Sequence, residues 1–444
     1  MSRPVIITGL GPVSALGHGI DPNWDAFAAG RSSVAPIQAF DPAGFDSRIA
    51  GEVRDLKVRD FVPKSYRKAT KVIARDIEIA VACADLAARD AGLTTKGTDP
   101  DAETTYAPDR VGAHIGAGLI AADLDELTAA LVEATDEQGR FDIHKWGREG
   151  MTHLTPLWLL KYLPNMLACH VTIIHDAQGP SNTITCNEAS GGLSVGESLR
   201  VIQRGMADAC FCGGADSKLN PMAFLRQQYT GRLNGDDNDR PAEAVRPFSS
   251  DAMGGAAAEG GGILILEALE SYEKRGVTGT PGTPYAQVAG FGASQTVHRE
   301  SRNLKPDPNG RALASAIRRA MAEAGVGTDE VDLIVPFGCG DPAWDSAEAS
   351  ALDHVFGDDL TDIPVRSSKA VAGNCAAGSG ALDLCLAARA LREQTVPAAI
   401  NCDQPLGSLN AGNAPAAKAD LRHVLCYATG VGGQNAAIVL KRFA

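Results

Sequence analysis

The chain has 444 residues, 44% hydrophobic, 21% charged and 5% aromatic, with 48 glycines. That length and apolar share suffice for one large or two fused α/β domains with a substantial core, and no apolar run reaches the roughly 18–20 residues of a transmembrane helix. A net charge of −13 argues against a general nucleic-acid or anionic-membrane surface, but it leaves room for a local basic patch facing an acidic partner.

The N-terminus runs from Met1-Ser2-Arg3-Pro4 straight into Val5-Ile6-Ile7-Thr8, which reads as a first strand and not as a signal peptide. That strand enters Gly9-Leu10-Gly11, but Ser14 stands where the third glycine of a dinucleotide fingerprint belongs, so a nucleotide site is not supported. Lys64–Arg75 is the best basic candidate, although each of its charges taken alone reads as a solvated helix face. Helical spacing of Val72, Ile73, Ile77, Ile79, Ala80, Ala84 and Leu86 predicts a helix over Lys68–Ala91. Gly92–Asp109 reads as a surface loop, Val111–Gly118 as a strand entering a glycine turn, and Asp123–Trp146 as a helical excursion within an insertion spanning about 119–165.

The most informative stretch is Gly179–Gly192, G-P-S-N-T-I-T-C-N-E-A-S-G-G. A β-rich run meets a turn of small residues and a helical pattern follows. This is the layout of a nucleophile elbow, in which a tight turn presents one side chain at a helix N-terminus. Leu193–Gly205 then reads as a helix, Ala209–Gly214 as a strand, Asp236–Pro247 as a loop and Gly260–Glu267 as a strand. The Gly/Thr/Pro-rich segment Gly276–Pro284 separates two expected halves, 1–275 and 285–444. The second half restarts with strands at Ala286–Phe291 and Val331–Pro336, a helix at Gly310–Ala324, a strand-to-turn at Val365–Ala377 and a helix at Gly380–Arg392. Its turn Gly373-Asn-Cys-Ala-Ala-Gly-Ser-Gly echoes Cys186-Asn-Glu-Ala-Ser-Gly-Gly, a weak internal duplication.

The elbow, together with Asn165–Thr172 and Arg246-Pro-Phe248, resembles the β-ketoacyl synthases of the ketosynthase II type, and the resemblance extends over essentially the whole chain. It implies an α/β, thiolase-like fold in which two duplicated halves form a five-layer αβαβα sandwich. It also implies a catalytic set of one cysteine and two histidines, with a glycine-rich gating loop that carries phenylalanine. Thiolate chemistry needs sulfur, and the imidazoles serve as donors to developing oxyanions. In this chain the cysteine position holds Glu188, the first histidine position Phe337 and the second, after Lys369-Ala-Val-Ala-Gly373, Asn374. Phenylalanine neither donates nor titrates, and an amide donates without moving a proton at neutral pH. Lys369 and Asp383 of the expected set remain, and the gate reads Thr429, Gly430, Val431, Gly432, Gly433.

Read residue by residue, Glu188 is expected to be a buried carboxylate paired with Lys369 or Asn374 that plugs the site, because an unpaired one is costly and no second proton-transfer group accompanies it. Phe337, Cys339 and Cys375 read as packing residues, Asn374 as a turn or cap residue, and Lys369 as the holder of the pocket acid. A displaced nucleophile at Cys186 is disfavoured, since it lies two residues back along the strand. The ten cysteines lack both C-x-x-C pairing and metal-ligand spacing, so they read as reduced residues of a cytoplasmic protein, with no metal and no cofactor expected. The resemblance implies an acyltransferase family member whose condensing activity is lost. The expectation is a chain-length-factor-like partner of an active ketosynthase, as a heterodimer, or a homodimer with itself, with an acyl carrier protein as further partner. Such relatives usually carry glutamine at the nucleophile position, and Glu188 departs from that. Two alternatives stay open: an acyl-transfer or decarboxylating enzyme using Glu188, Cys186 or Cys339, and an acyl-binding scaffold.

Overall fold

The computed structural model describes residues 3–277, 279–299, 301 and 304–443. Met1 and Ser2 of the expected first segment, Thr278 in the expected linker and Ala444 at the end of the expected second half lie outside the described residues.

In chain order the first half contains β1 (Val5–Ser14), α1 (Arg75–Asp90), β2 (Val111–Ala117), α2 (Met166–His175), β3 (Ser181–Ile184), α3 (Ser190–Gln203), β4 (Ala209–Ser217) and β5 (Ala257–Ala268). The second contains β6 (Ala286–Gln295), α4 (Arg311–Ala324), β7 (Leu333–Val335), α5 (Pro342–Phe356), α6 (Ser379–Glu393), β8 (His423–Thr429) and β9 (Gln434–Arg442). The strands form a mixed sheet in the order β7-β8-β9-β6-β1-β5-β4-β2-β3. Its two half-sheets are joined at one narrow seam, where Ile6 and Ile7 of β1 pair with Gln287 and Ala286 of β6.

The layers follow from side-chain alternation along buried strands. Leu264 and Leu266 of β5 point into a central core with α3 and α6, whereas Ile263 and Ile265 point outward against α1 and α2. On the other half-sheet, Val424 and Cys426 of β8 face the same central helices, while Leu425 and Tyr427 face α4 and α5. Helix, sheet, helix pair, sheet and helix therefore stack as the expected αβαβα sandwich. Small residues permit the close approach. A Cβ at Gly11 of β1 would lie 2.0 Å from the Cys83 carbonyl oxygen of α1.

Some expected boundaries shift. α1 begins at Arg75, not Lys68, because residues 69–72 form a 3-10 turn with Lys71 and Val72 exposed. The strand expected at the start of the strand-to-turn segment Val365–Ala377 does not form, whereas its turn does, at Ala376–Gly378. Val365 makes only an isolated bridge to Ile334, and Lys369–Ala372 forms a short helix. Arg366 turns inward onto the carbonyls of Val365, Pro397 and Asn410, and the helical turn lets Ser368 and Lys369 both reach Asp383. The excursion carries helices at Leu124–Glu133 and Ile143–Arg148 and exposes Val132, Phe141, Ile143, Leu157 and Leu159. Among the described residues no helix is long and apolar enough to cross a membrane.

Candidate functional site

The elbow is built as its sequence suggests. β3 ends at Ile184, Asn187 takes a left-handed φ of 48°, Asn187–Ala189 form a 3-10 turn, and α3 starts at Ser190. The Ser190 hydroxyl oxygen accepts from the Cys186 amide at 2.8 Å and ties the turn across its base. The device recurs in the second half, where Ala376 has φ 45°, Ala376–Gly378 form a 3-10 turn and α6 begins at Ser379. The two helix starts abut: a Cβ at Gly191 would lie 2.8 Å from the Ala381 nitrogen.

This turn carries Glu188 inside, leaving it 1% exposed. Its Oε1 accepts from Arg232 Nη2 at 2.5 Å and from Asn374 Nδ2 at 3.4 Å. Arg232 is itself buried, and its guanidinium lies 5.4 Å from the centroid of the Trp344 ring. Burial alone pushes the Glu188 carboxyl upward, but the charge and hydrogen bond of Arg232 outweigh it and hold the group below its ordinary value. The converse holds for Arg232: burial disfavours its charge, and Glu188 restores it. Among the described residues, Glu188 Oε2 and Arg232 Nε and Nη1 have no hydrogen-bond partner. Oε2 is pressed against the gate, where a Cβ at Gly430 would lie 2.1 Å away.

The partner of Glu188 therefore differs from expectation. Asn374 is within reach, but Lys369 is not the counterion. Lys369 Nζ pairs with Asp383, which also accepts from the Ser368 hydroxyl at 2.5 Å. Burial raises the Asp383 carboxyl, with Lys369 opposing. The Phe337 ring is fully buried, 5.5 Å from Lys369 Nζ and edge-on to Trp344. Asn374 acts as a cap, its Oδ1 accepting from the Ala376 amide and the Ser379 hydroxyl, both at 2.9 Å. Behind Phe337, Asp345 accepts from the amides of Phe248, Cys339 and Gly340 and is pushed up to about 7 by burial. Glu348 accepts from the Gly338 amide at 3.0 Å, so the two acids fix the backbone of the loop after β7.

Burial disfavours the thiolate form of the cysteines near the site. Burial raises Cys186, which is half-buried, and raises Cys339 and Cys375, which are fully buried. The gate is tied down at successive carbonyls. Asn187 Nδ2 donates to Val431 O at 2.7 Å, Gln295 Nε2 to Gly432 O at 2.7 Å and the Thr296 amide to Gly433 O at 2.6 Å. Thr429 donates to Asn435 Oδ1 at 2.7 Å. Asp216 and Lys218 form a buried pair at 2.6 Å, and their neighbours Ser217 and Leu219 line a cavity of 530 Å³ with Phe40, Asp76, Leu124, Tyr162 and Asn220 among others. In the basic segment Lys64, Arg67, Lys68 and Lys71 are exposed, but Arg75 turns inward to Glu259 at 3.0 Å. Among the described residues no group of three or more His, Cys, Asp or Glu is arranged to hold a metal ion.

Arg232, Trp344, Asp216 and Lys218 were not legible beforehand. Arg232 stands 44 residues beyond Glu188 in an irregular segment, and no spacing rule links the two.

Comparisons with known proteins agree with this layout. The family model described as Beta-ketoacyl synthase, N-terminal domain, matches residues 2–271, and the model described as Beta-ketoacyl synthase, C-terminal domain, matches residues 285–403. A 3-oxoacyl-[acyl-carrier-protein] synthase 2 from Coxiella burnetii is 31% identical over 450 residues, covering 99% of each chain. The protein of the same name from Vibrio cholerae is 28% identical, again covering 99% of each chain. Among solved structures, one titled the ishigamide ketosynthase/chain length factor superposes with a TM-score of 0.83 at 28% identity, covering 100% of both chains. A β-ketoacyl synthase from Burkholderia phymatum superposes with a TM-score of 0.84 over 100% of both chains, at 23% identity, which speaks to the fold alone.

Proposed function

Because the chain belongs to the β-ketoacyl synthase family, we propose that it is a non-condensing, chain-length-factor-like partner of an active ketosynthase in fatty-acid or polyketide-type synthesis. The observation that carries this reading is the buried Glu188–Arg232 pair in the nucleophile's place. Decarboxylating condensation needs a thiolate to accept the acyl chain and imidazoles to stabilise the enolate. At these three positions stand an ionised carboxylate already bound to a guanidinium, a buried phenyl ring and an amide committed to capping. A paired carboxylate held below its ordinary value is also a weak base at neutral pH. The reading in which Cys186 or Cys339 supplies the thiol meets groups that burial holds in the protonated form.

Other features fit a tunnel-shaping subunit. β3 is an edge strand of the sheet, close in sequence to the exposed apolar residues of the 119–165 excursion, and β3 with α3 is the proposed dimer surface. The division into halves at 1–275 and 285–444 belongs to the same proposal. Lys64, Arg67, Lys68 and Lys71 offer an acidic acyl carrier protein a basic patch on an otherwise acidic chain. The test is co-expression with candidate ketosynthases that retain the cysteine and both histidines. A one-to-one heterodimer is expected, and a stable homodimer that pairs with none of them overturns the proposal.

A further inference from the structure

We propose that the Asn187 side chain is a latch that keeps the Gly430–Gly433 loop closed over Glu188, an inference that does not depend on the partner-subunit reading.

Asn187 sits at the apex of the elbow with φ 48°, a left-handed conformation that asparagine tolerates better than most side chains. The residue is exposed, and its amide reaches across the mouth to the Val431 carbonyl at 2.7 Å. Further ties on the loop come from Gln295 and Thr296, at the end of β6 and its continuation, and from Asn435 of β9, whose Nδ2 donates to Gly433 O at 3.2 Å. Asn187 thus makes a direct hydrogen bond from the elbow to the gate. Beneath Gly430 the Glu188 carboxylate fills the space. The Gly430 α-carbon lies against the Glu188 carboxylate so tightly that one added carbon would sit 2.1 Å from Oε2. Glu188 is in turn held by Arg232. On the other side, between Thr429, Gly433, Asn435 and Trp344, the cavity measures 20 Å³, about the room of one water. The loop therefore cannot move inward, and moving outward breaks the Asn187 bond. Asn187 acts through the loop, so it is a positioning residue. A single exposed hydrogen bond makes a reversible latch, one whose loss changes the opening equilibrium by about two- to tenfold.

The experiment is hydrogen–deuterium exchange of the isolated chain, comparing the parent with Asn187→Gly and Asn187→Asp. Glycine keeps the positive φ without strain while deleting the amide, and aspartate keeps the shape but sets a carboxylate against the Val431 carbonyl. Both variants are expected to exchange about two- to tenfold faster at the amides of Gly433 and Thr296, which are bonded to Gly430 O and Gly433 O. The thermal midpoint of Asn187→Gly is expected to stay with the parent. Acceleration in only one variant, or in neither, overturns the latch. Because no partner is present in the measurement, its failure leaves the heterodimer result standing, and the reverse also holds.

Discussion

Arg232→Ala isolates the interaction on which the site depends. It deletes the ion pair at 2.5 Å and leaves a carboxylate that is 1% exposed, with Oε2 unpartnered among the described residues and Asn374, at 3.4 Å, facing Oε1. Removing one partner of a buried pair costs about 3–5 kcal/mol, whereas replacing both by apolar groups is often neutral or better. The contact of the guanidinium with Trp344 adds about 0.5–2 kcal/mol to the loss. The assay is denaturant and thermal unfolding of the parent, Arg232→Ala, Glu188→Leu and the double variant Glu188→Leu/Arg232→Met. Each single variant is expected to lose at least about 3 kcal/mol, and the double variant much less than their sum. The pH dependence has a definite direction. In the parent, Glu188 is held below its ordinary value, so its contribution is present above about pH 4.3 and is lost as pH falls through the folded value. Without Arg232, burial raises the carboxyl instead, so that contribution is present below about pH 4.3 and is lost as pH rises through the new value. The deficit of Arg232→Ala must therefore grow between pH 5 and pH 8. A deficit under about 0.5 kcal/mol at pH 8, or one independent of pH, refutes the reasoning, since it falls far below the range for a broken buried pair.

Two further outcomes follow from the same geometry. Glu188→Cys places a thiol beside a guanidinium that has lost its carboxylate, so its thiol should titrate below the ordinary cysteine value of about 8.5. Thiolate absorbance against pH, compared with the parent, reads this directly, and a value above 8.5 would mean that burial outweighs Arg232. Gly430→Ala should destabilise by about 1–3 kcal/mol, because its Cβ meets Glu188 Oε2 at 2.1 Å. Thermal unfolding should show that Gly430→Ala costs less in a Glu188→Ala background than in the parent, and an equal cost in both would place the clash elsewhere.

Much of the architecture was open to sequence reading because its signals are local. A glycine-spaced first strand, small-residue turns opening helices, and alternating buried strands each declare themselves within about a dozen residues. The strand, turn and helix of the elbow were legible for that reason, with Glu188 in the turn. What Glu188 binds was not. A buried carboxylate requires a counterion, but the requirement does not say which cation, and Lys369 was the nearest retained one in the motif. In the structure Lys369 is consumed by Asp383, two positions that share a turn and the helix after it, while Arg232 arrives from an irregular segment between α3 and β5. The missing strand at the start of Val365–Ala377 has a similar origin. Its sequence permits extension, but the buried side chains of Arg366 and Lys369 find their partners only if the backbone coils.

The most direct measurement is intact-mass spectrometry of the purified chain after incubation with malonyl- and acyl-loaded carrier protein. If the elbow presents a plug, the mass stays that of the unmodified chain. A covalent acyl adduct, lost on Cys186→Ala or Cys339→Ala, would contradict it and identify a working thiol in a site read here as filled.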